Sequence, residues 1–424
     1  MLRSLALTLM LALAMGASAQ LDLDQVSAEI AALDAPITLT FWQTHNAEET
    51  ETLRGMVEDF EALCPKIDVD MAYEPFDGAR DKFLVSCNAG EGPDIMRVEI
   101  MWVAECADLG YLWEVTGFLS DEDREDFLPN TLVPLTYDGD IWGVPQVTDC
   151  LAYLYNRAMY GEAGLEPPTT WEELEAISGP WAEVHPGTHA FAFAISDCYF
   201  FLPFLWSFGG DMLDPDTREP LISQPEAVAG LEYVLHLQDT GVIPADFDIA
   251  NDYNNRMEQL KSGQVGAIMN GPWCTADLLQ GDAFGDPANL GVAPLPHREG
   301  GDVHVSPIGG HVYVISADCD EPEAAYLFIH WLTLPEQQAR FAVANNLLPT
   351  RRSVYDFPEV QANPILTGFG EILATSSRTR PVGPEVGGFF DPLNAGFQAA
   401  LRRDLTPAEA LMQVERGWRE LMGN

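Results

Sequence analysis

The sequence has 424 residues, of which 47% are hydrophobic and 21% are charged. This composition is typical of a globular protein and excludes a disordered chain, and the length predicts two domains rather than a single core. The 21 Lys and Arg residues face 66 Asp and Glu residues, so the formal net charge is −45. Such a polyanion disfavours binding to nucleic acid or to an anionic membrane, and no basic patch offsets it.

The acidic excess has two interpretations. It fits an exported protein at the acidic end of the ordinary range, and it also fits adaptation to a saline habitat. Dense surface carboxylates repel one another in dilute buffer, whereas 1 M salt screens the repulsion beyond about 3 Å. The excess therefore bears on habitat and not on activity.

The first 19 residues have the pattern of a cleavable export signal. Arg3 supplies a positive start, residues 5–15 form a short apolar run, and Ala17-Ser18-Ala19 fits the small-residue cleavage rule. The run is too short to span a bilayer. We therefore expect a periplasmic protein and, because no cysteine follows the cleavage site, no lipid anchor.

Seven cysteines occur in a chain that is expected to enter an oxidising compartment. No two of them have C-x-x-C spacing, which disfavours a zinc ribbon or a thioredoxin-like site. Cys64 with Cys87, and Cys150 with Cys198, are candidate disulfides. Free buried thiols are the alternative.

Residues 20–35 are polar and acidic and are predicted to be a leader into the first strand. A helix is predicted from Asn46 to the residue before Pro65, since Asn46 and Glu49 have the spacing of a capping box. Strands are predicted on either side of this helix and after the next one, at 37–42, 67–73 and 93–98. Strands that alternate with helices predict parallel pairing in an α/β domain.

An Asp-Gly pair at 138–139, between apolar residues, predicts a β-hairpin. Later strands are predicted at 151–155, 265–269 and 311–315, and helices at 225–240, 322–332 and 392–422. No low-complexity linker interrupts the chain, so two domains would be joined by tight crossings.

Motifs of covalent chemistry are missing from the sequence. It contains no G-x-G-x-x-G, P-loop, G-x-S-x-G or H-E-x-x-H motif, and its eight histidines do not cluster. We therefore expect no cofactor and no metal. A pair of carboxylates for glycoside hydrolysis stays open as an alternative, because the spacing of such a pair is set in space and not along the chain.

Aromatic residues next to glycine or proline stand out at predicted strand ends. Trp273 follows Asn270-Gly271-Pro272, Trp206 precedes Gly209-Gly210, and Gly309-Gly310 precedes His311. Strand ends are where α/β folds place ligand contacts. An aromatic face beside a glycine suits a flat, partly apolar ligand such as a sugar ring, although each aromatic taken alone is more typical of a core.

In their order and spacing, these motifs resemble those of the extracellular solute-binding proteins of ABC sugar importers, of the maltose- and trehalose-binding type. The similarity covers nearly the whole chain after residue 19. It is carried by Thr40-Phe41-Trp42, Gly92-Pro93-Asp94-Ile95, Tyr137-Asp138-Gly139, Trp142-Gly143-Val144-Pro145, Pro167-Pro168-Thr169-Thr170-Trp171, Phe208-Gly209-Gly210-Asp211, Asn270-Gly271-Pro272-Trp273, Val292-Ala293-Pro294-Leu295-Pro296 and Gly309-Gly310.

The resemblance implies an α/β fold of two lobes, the type II-like venus-flytrap arrangement, with the ligand in the cleft between them. The N-terminal lobe would comprise 36–146 and 307–347, and the C-terminal lobe 150–304 and 350–424. The chain would cross between the lobes near 145–150, 303–307 and 348–350. The resemblance further implies a monomer that closes around a di- or oligosaccharide, or a sugar osmolyte, and delivers it to a membrane permease without altering it.

Ligand-contacting positions are carried over from the resemblance where the motifs match. They are Asn46, Arg80, Glu99, Asp149, Gly309, Gly310 and Arg380, and the aromatic pattern adds Trp206, Trp273 and His311. Carboxylates would accept bonds from sugar hydroxyls, and an arginine would balance their charge. For each charged residue, an ordinary salt bridge is the alternative.

Two departures from the related proteins concern stacking residues. Relatives of this type carry a tryptophan before the proline that aligns with Pro272, where this chain has Gly271. They carry another after the paired glycines, where this chain has His311. The sugar is therefore left open, and so are two other functions: a secreted carboxylate-dependent glycoside hydrolase, and a binder of a non-sugar solute such as an amine.

The charge balance makes one prediction about stability. Because surface repulsion is screened by salt, we expect the melting temperature to rise between dilute buffer and molar sodium chloride. Differential scanning calorimetry across that range measures the change. A flat melting temperature would leave the salt-adaptation hypothesis unsupported.

Overall fold

The computed structural model describes residues 21–245 and 248–423. The predicted export signal at 1–19 lies outside the described residues. The strands are β1 (Ile37–Gln43), β2 (Ile67–Tyr73), β3 (Ile95–Glu99), β4 (Thr136–Tyr137), β5 (Asp140–Ile141), β6 (Val144–Cys150), β7 (Ala152–Asn156), β8 (Ala192–Phe193), β9 (Ala267–Asn270), β10 (Leu290–Ala293), β11 (Ser306–Ile315), β12 (Leu348–Pro349) and β13 (Ser377–Arg378).

Helices connect these strands and cover the sheets. They are α1 (Leu23–Ala31), α2 (Ala47–Leu63), α3 (Phe76–Asn88), α4 (Val103–Asp108), α5 (Asp121–Asp126), α6 (Pro129–Leu132), α7 (Arg157–Glu162), α8 (Trp171–Val184), α9 (Leu202–Ser207), α10 (Pro225–Asp239), α11 (Asp252–Lys261), α12 (Thr275–Leu278), α13 (Pro322–Leu332), α14 (Pro335–Asn345), α15 (Pro358–Gln361), α16 (Pro364–Thr375), α17 (Phe390–Leu401) and α18 (Pro407–Leu421).

The larger sheet has the order β12-β6-β11-β3-β1-β2, with β13 paired to β11. β1 is parallel to both β2 and β3, which confirms the parallel pairing predicted for the first strands. β11 runs antiparallel to both β3 and β6. Because β1 and β3 are parallel neighbours, the residues that follow both strands meet at one edge of the sheet.

The smaller sheet has the order β10-β7-β9-β8. β7 is antiparallel to both of its neighbours, whereas β8 and β9 are parallel. Each of its strands is short, and β7 and β9 are buried along their whole length. The two sheets are the frameworks of the two α/β lobes.

Three chain segments predicted to cross between the lobes become neighbours in the larger sheet. They lie in β6, at the start of β11 and in β12, in the order β12-β6-β11. β6 continues into β7 of the smaller sheet with only Leu151 between them. Adjacent crossing strands form a hinge about which the lobes can rotate. The exact lobe boundaries stay a prediction.

Local sequence signals set several of these elements. The Asn46 side chain accepts a hydrogen bond from the Glu49 amide at 2.9 Å and caps α2, as its spacing predicts. The predicted hairpin is β4–β5, in which Asp138 and Gly139 both have positive φ angles of 51° and 92°. Two successive positive φ angles are what a tight hairpin turn of this kind requires.

Two predicted stretches differ from the structure. Residues 20–35 are not a plain leader, because α1 forms there and buries Val26 and Ile30 against the core. The predicted helix at 392–422 is two helices, α17 and α18, separated by a turn at positive-φ Arg403 and capped anew by Thr406. Helix α1 was not predicted because only two of its residues, Val26 and Ile30, form its apolar face. The break between α17 and α18 was not predicted because hydrophobic spacing does not reveal a short turn between helices.

All seven cysteines lie within the described residues, and all are free thiols. Neither candidate disulfide forms, and six of the seven side chains are buried. The sequence left open whether these cysteines form disulfides or stay as free buried thiols, and in the structure they are free. Within 21–245 and 248–423, no helix has the length and apolar content needed to cross a membrane.

Arg351 anchors the segment that follows β12. Its guanidinium lies 2.7 Å from Asp123 and 3.4 Å from Asp126, it donates to the Thr333 carbonyl at 2.6 Å, and it lies over the Phe127 ring. The residue is only 3% exposed. A buried arginine with two carboxylate partners fixes the position of the third crossing segment against α5.

We therefore expect Arg351→Met to lower the free energy of unfolding by about 3–5 kcal/mol, because Asp123 and Asp126 lose their buried partner. Arg340→Met is the matched control, since its pair with Asp59 is exposed and contributes about 0–1 kcal/mol. Urea unfolding of both variants measures the difference. Equal losses would contradict this role of Arg351.

Candidate functional site

The candidate site lies where β3 ends beside β11 and β6. Strand register places His311 opposite Glu99, and Gly309 opposite Asp149. Side chains alternate along a strand, so His311, Gly309 and Asp149 belong to the same face of the sheet. Four of the residues predicted from sequence are therefore brought together at the hinge, although they are up to 212 positions apart (311 − 99).

Arg380 joins this group from the segment after β13. Its Nε donates to the Ile308 carbonyl at 3.1 Å, and its guanidinium forms an ion pair with Glu99. Glu99 also caps the turn after β3, because its other oxygen accepts from the Met101 amide at 2.8 Å. Burial lowers the pKa of Arg380, but the Glu99 carboxylate beside it outweighs burial, so the net shift of that pKa is upward.

Asp149 is a second carboxylate at the same place. Its Oδ1 accepts a hydrogen bond from the Tyr199 hydroxyl at 3.4 Å, and the residue is only 7% exposed. Burial raises the pKa of Asp149 to about 7, because the opposing effect of Arg380 is partly cancelled by Glu99. Two carboxylates thus share the neighbourhood of one guanidinium.

The paired glycines leave room for these groups. A Cβ on Gly309 would lie 2.3 Å from Asp149 Oδ1 and 3.1 Å from the Tyr199 hydroxyl. Gly310 has a φ of +148°, and a Cβ there would lie 2.4 Å from the Val147 carbonyl oxygen. Larger residues at either position would displace Asp149 or the backbone of β6.

One wall of the site is aromatic and belongs to the smaller sheet's side. The Trp273 ring folds back over Gly271, where a Cβ would lie 1.9 Å from a ring carbon. Its indole Nε1 donates to the Tyr253 hydroxyl at 3.0 Å, and its ring centroid is 6.4 Å from that of Tyr199. Gly271 is therefore the residue that makes this orientation of Trp273 possible.

The opposite wall is aromatic too. Phe76 stacks on Trp102 at 5.3 Å between centroids and meets the His311 ring edge-on at 5.8 Å. Phe76 is 46% exposed, which is unusual for so large an apolar side chain beside two other rings. Its neighbours Asp77 and Gly78 depart from helical geometry, which turns the start of α3 toward this surface.

Asn46 contacts the wall that carries Trp273 and not the floor of the site. While it caps α2, its side-chain amide donates to the Trp273 carbonyl at 3.4 Å. Nearby, Gln280 donates to Glu48 at 3.4 Å. These two contacts join the N-terminus of α2 to the wall that carries Trp273, so Asn46 lies at the rim of the cleft.

Two of the predicted residues, Trp206 and Arg80, are engaged by other side chains. Trp206 is 1% exposed, donates to Asp211 at 3.2 Å and is covered by Arg378, so its ring belongs to the core. Arg80 forms a two-point ion pair with Glu105, at 2.8 and 2.6 Å. A cavity of about 690 Å³ also lies on the other face of β11, where Ile308 lines it.

A buried polar cluster supports the floor from below. Arg97 donates to Gln146 at 3.0 Å and to Thr44 at 2.9 Å, and it lies 4.0 Å from Glu49. Burial, followed by the field of Arg97, lowers the pKa of both His45 and His311, so both imidazoles are neutral. Among the described residues, the Nε2 atoms of both histidines have no hydrogen-bond partner.

Sequence reasoning missed Tyr199 and Phe76. Tyr199 follows β8 within Asp197-Cys198-Tyr199, so an aromatic residue after a strand was an available signal. Phe76 follows β2, directly after Pro75, and gave the same signal. Phe76 even fits the pattern of an aromatic residue next to proline, whereas Tyr199 has no glycine or proline within three residues.

The fold and the site define a class. Two α/β lobes meet at a hinge of neighbouring strands, and between them lie a carboxylate-rich floor and two aromatic walls. Among the described residues no group of His, Cys, Asp or Glu is arranged to hold a metal ion. This is the architecture of a two-lobed ligand-binding protein.

Comparison with known proteins gives the family. The profile of the family described as bacterial extracellular solute-binding protein matches residues 46–339, and the chain belongs to that family. The maltotriose-binding protein of Pyrococcus abyssi is 25% identical over 381 residues, which are 86% of this chain and 80% of that protein. Membership confirms the resemblance seen in the sequence and assigns an extracellular or periplasmic location.

Solved structures agree with this assignment. The GacH receptor of Streptomyces glaucescens, solved unliganded and with acarbose, has a TM-score of 0.85 and 31% identity, and the match covers 92% of this chain and 100% of that one. A maltose-bound MalE3 from T. maritima has a TM-score of 0.81 and 28% identity, over 91% and 99% of the two chains. The two-lobed fold predicted from sequence is confirmed.

The Trp273 wall leads to a prediction about affinity. We expect Trp273→Ala to weaken the binding of a sugar ligand by about 1–3 kcal/mol, because a large ring contact is lost. Gly271→Ala should weaken binding similarly, because its Cβ would push the indole out of place. Trp113→Ala is the matched control, since Trp113 lies beside Ile315 at the far end of the sheet. Calorimetry that showed unchanged affinity for both cleft variants would remove Trp273 from the site.

Proposed function

We propose that this protein is the substrate-binding component of an ABC importer, and that it captures a di- or oligosaccharide in the cleft and delivers it to a membrane permease. The observation that carries the proposal is the Glu99–Arg380–Asp149 group at the hinge, flanked by Trp273 on one side and Phe76 on the other. Sugars combine hydroxyl donors with apolar ring faces, and this cleft offers acceptors with aromatic surfaces.

Relatives support the sugar class. One is named a maltotriose-binding protein, and two of the similar structures hold acarbose and maltose. We extend their ligand class to this chain as an α-glucoside of two or more rings. The predicted residues Glu99, Asp149, Gly309, Gly310, His311, Arg380 and Trp273 would contact it, with Asn46 at the rim, whereas the contacts of Trp206 and Arg80 argue against roles for them.

The mechanism needs no covalent step. A ligand that touches both walls binds the closed arrangement better than the open one, and its differential affinity shifts the population toward closure. The contacts of Asn46 with Trp273 and of Gln280 with Glu48 are available only when the walls are close. The permease would recognise this closed form.

The remaining expectations belong to the same proposal. The segment at 1–19 would be removed on export, and the protein would act as a monomer in the periplasm.

A glycoside hydrolase would need one carboxyl group placed to protonate a leaving oxygen. Here Glu99 forms an ion pair with Arg380 and accepts a hydrogen bond from the Met101 amide. A carboxylate held in this way fits an acceptor of hydrogen bonds from sugar hydroxyls.

A single set of measurements tests the proposal. We expect maltose, maltotriose, a longer maltodextrin or trehalose to raise the melting temperature of the purified protein, and unrelated amino acids serve as comparison ligands. The sugar should be recovered intact after long incubation, and small-angle scattering should show a smaller radius of gyration with ligand. Cleavage of the sugar, or superimposable scattering profiles with every ligand that binds, would contradict the proposal.

A further inference from the structure

The floor of the cleft carries more negative than positive charge. Glu99 and Asp149 both lie beside Arg380, whose guanidinium forms its ion pair with Glu99. Asp197 adds a third carboxylate next to Tyr199, whose amide donates to it at 2.8 Å. Arg97 offsets only part of this excess, because it lies 4.0 Å from a further carboxylate, that of Glu49.

Of the two carboxylates beside Arg380, Asp149 is the one without an ion pair of its own. Within the described ranges no Lys, Arg or His nitrogen forms an ion pair with it, and its protein hydrogen bond is the one from Tyr199 at 3.4 Å. It is more than nine-tenths buried, and its Oδ1 lies against Gly309, where a Cβ would come within 2.3 Å of it. This carboxylate therefore faces the cleft with unused capacity to accept hydrogen bonds.

A buried carboxylate in this position is stabilised in one of two ways. It can take up a proton, or it can receive a positive charge from the ligand. A neutral sugar hydroxyl offers a hydrogen bond but no charge, whereas an ammonium group offers both. The Tyr199 ring already has the Arg380 guanidinium 5.4 Å from its centroid, and the Trp273 ring, 6.4 Å from Tyr199, is a second aromatic surface that would favour a cation, since aromatic faces carry negative potential.

We propose that the preferred ligand is an oligosaccharide that carries a protonated amine, and that the Asp149 carboxylate receives this amine. The inference rests on the proposed function and narrows its ligand class. Arg380 and Glu99 then form the neutral part of the floor, which holds hydroxyl groups, and Asp149 forms the anionic part, which selects for charge.

The inference has a pH signature. The groups that face Asp149 are Glu99 and Arg97 on β3, His311 on β11, Tyr199 and Arg380. In the closed state burial raises the pKa of Asp149 to about 7, whereas in an open, solvated cleft an aspartate has a pKa of about 3.9.

Closing on a neutral sugar therefore takes up a proton between these two pKa values, so the affinity falls as the pH rises from 5 to 7 and is level above 7. Closing on an ammonium keeps Asp149 ionised, so the affinity stays level from pH 5 to 8.

The experiment compares maltotriose with its three monoamino derivatives, in which the primary hydroxyl of the first, second or third ring is replaced by a primary amine. Calorimetry at pH 8 measures each affinity. We expect at least one derivative to bind about tenfold or more tightly than maltotriose, which is the gain typical of a charge-assisted contact. Asp149→Asn should bring the ratio between that derivative and maltotriose close to one.

Asp68→Asn is the control variant, because Asp68 is exposed on β2 at the end of the sheet away from the cleft, and it should keep the wild-type ratio. If Asp149→Asn does not fold, the affinities of the wild-type protein for maltotriose and for the amine, measured from pH 5 to 8, test the inference by themselves. A falling affinity for maltotriose beside a level one for the amine supports the inference.

The failures are distinguishable. If maltotriose binds and none of the three amines binds more tightly, or if Asp149→Asn keeps the preference, the inference is overturned and the proposed function stands. If neither maltotriose nor any derivative binds, the sugar-binding function itself is overturned, and this inference with it.

Discussion

The structure of the cleft depends on how buried charge is arranged at the hinge. Glu99, at the end of β3, is held by Arg380 from the segment after β13, and Arg380 also donates to the backbone of β11. One guanidinium thus ties together a strand end, a crossing strand and a segment far along the chain. Because removing either partner would leave an unpaired buried charge, this contact fixes where the floor lies and leaves Asp149 as the group whose charge is not matched.

Glycine determines the form of the aromatic wall. Trp273 can lie over Gly271 only because that residue has no Cβ, and Asp149 can approach β11 only because Gly309 has none. The two glycines thus set where the indole and the carboxylate lie relative to the strands.

Charge acts on two scales in this molecule. Over the surface, the net charge of −45 is a diffuse field that salt screens. Inside the cleft, a few carboxylates lie in a low-dielectric setting, where salt has little access and pairing decides which groups stay ionised. The same residue type therefore behaves differently on the surface and in the cleft, because burial changes how strongly its charge interacts with its neighbours.

Several elements could be predicted from their residues because the signals are local. The capping pair Asn46 and Glu49, the Asp138-Gly139 turn and the alternating strands each follow from interactions between near neighbours. The short helix α1 and the break before α18 were missed, since two buried apolar residues and one turn are weak signals over so few positions.

The sequence by itself determined the family, the α/β alternation and most of the charged residues at the hinge, because those features reside in motifs and in their order. Only the tertiary structure decided which aromatic residues face the cleft. Trp206 and Trp273 both stand near glycines, yet packing against Arg378 and Asp211 buries the first, and folding over Gly271 turns the second toward Tyr199. Exposure depends on what other segments place over a side chain, and that information is spread over the whole chain.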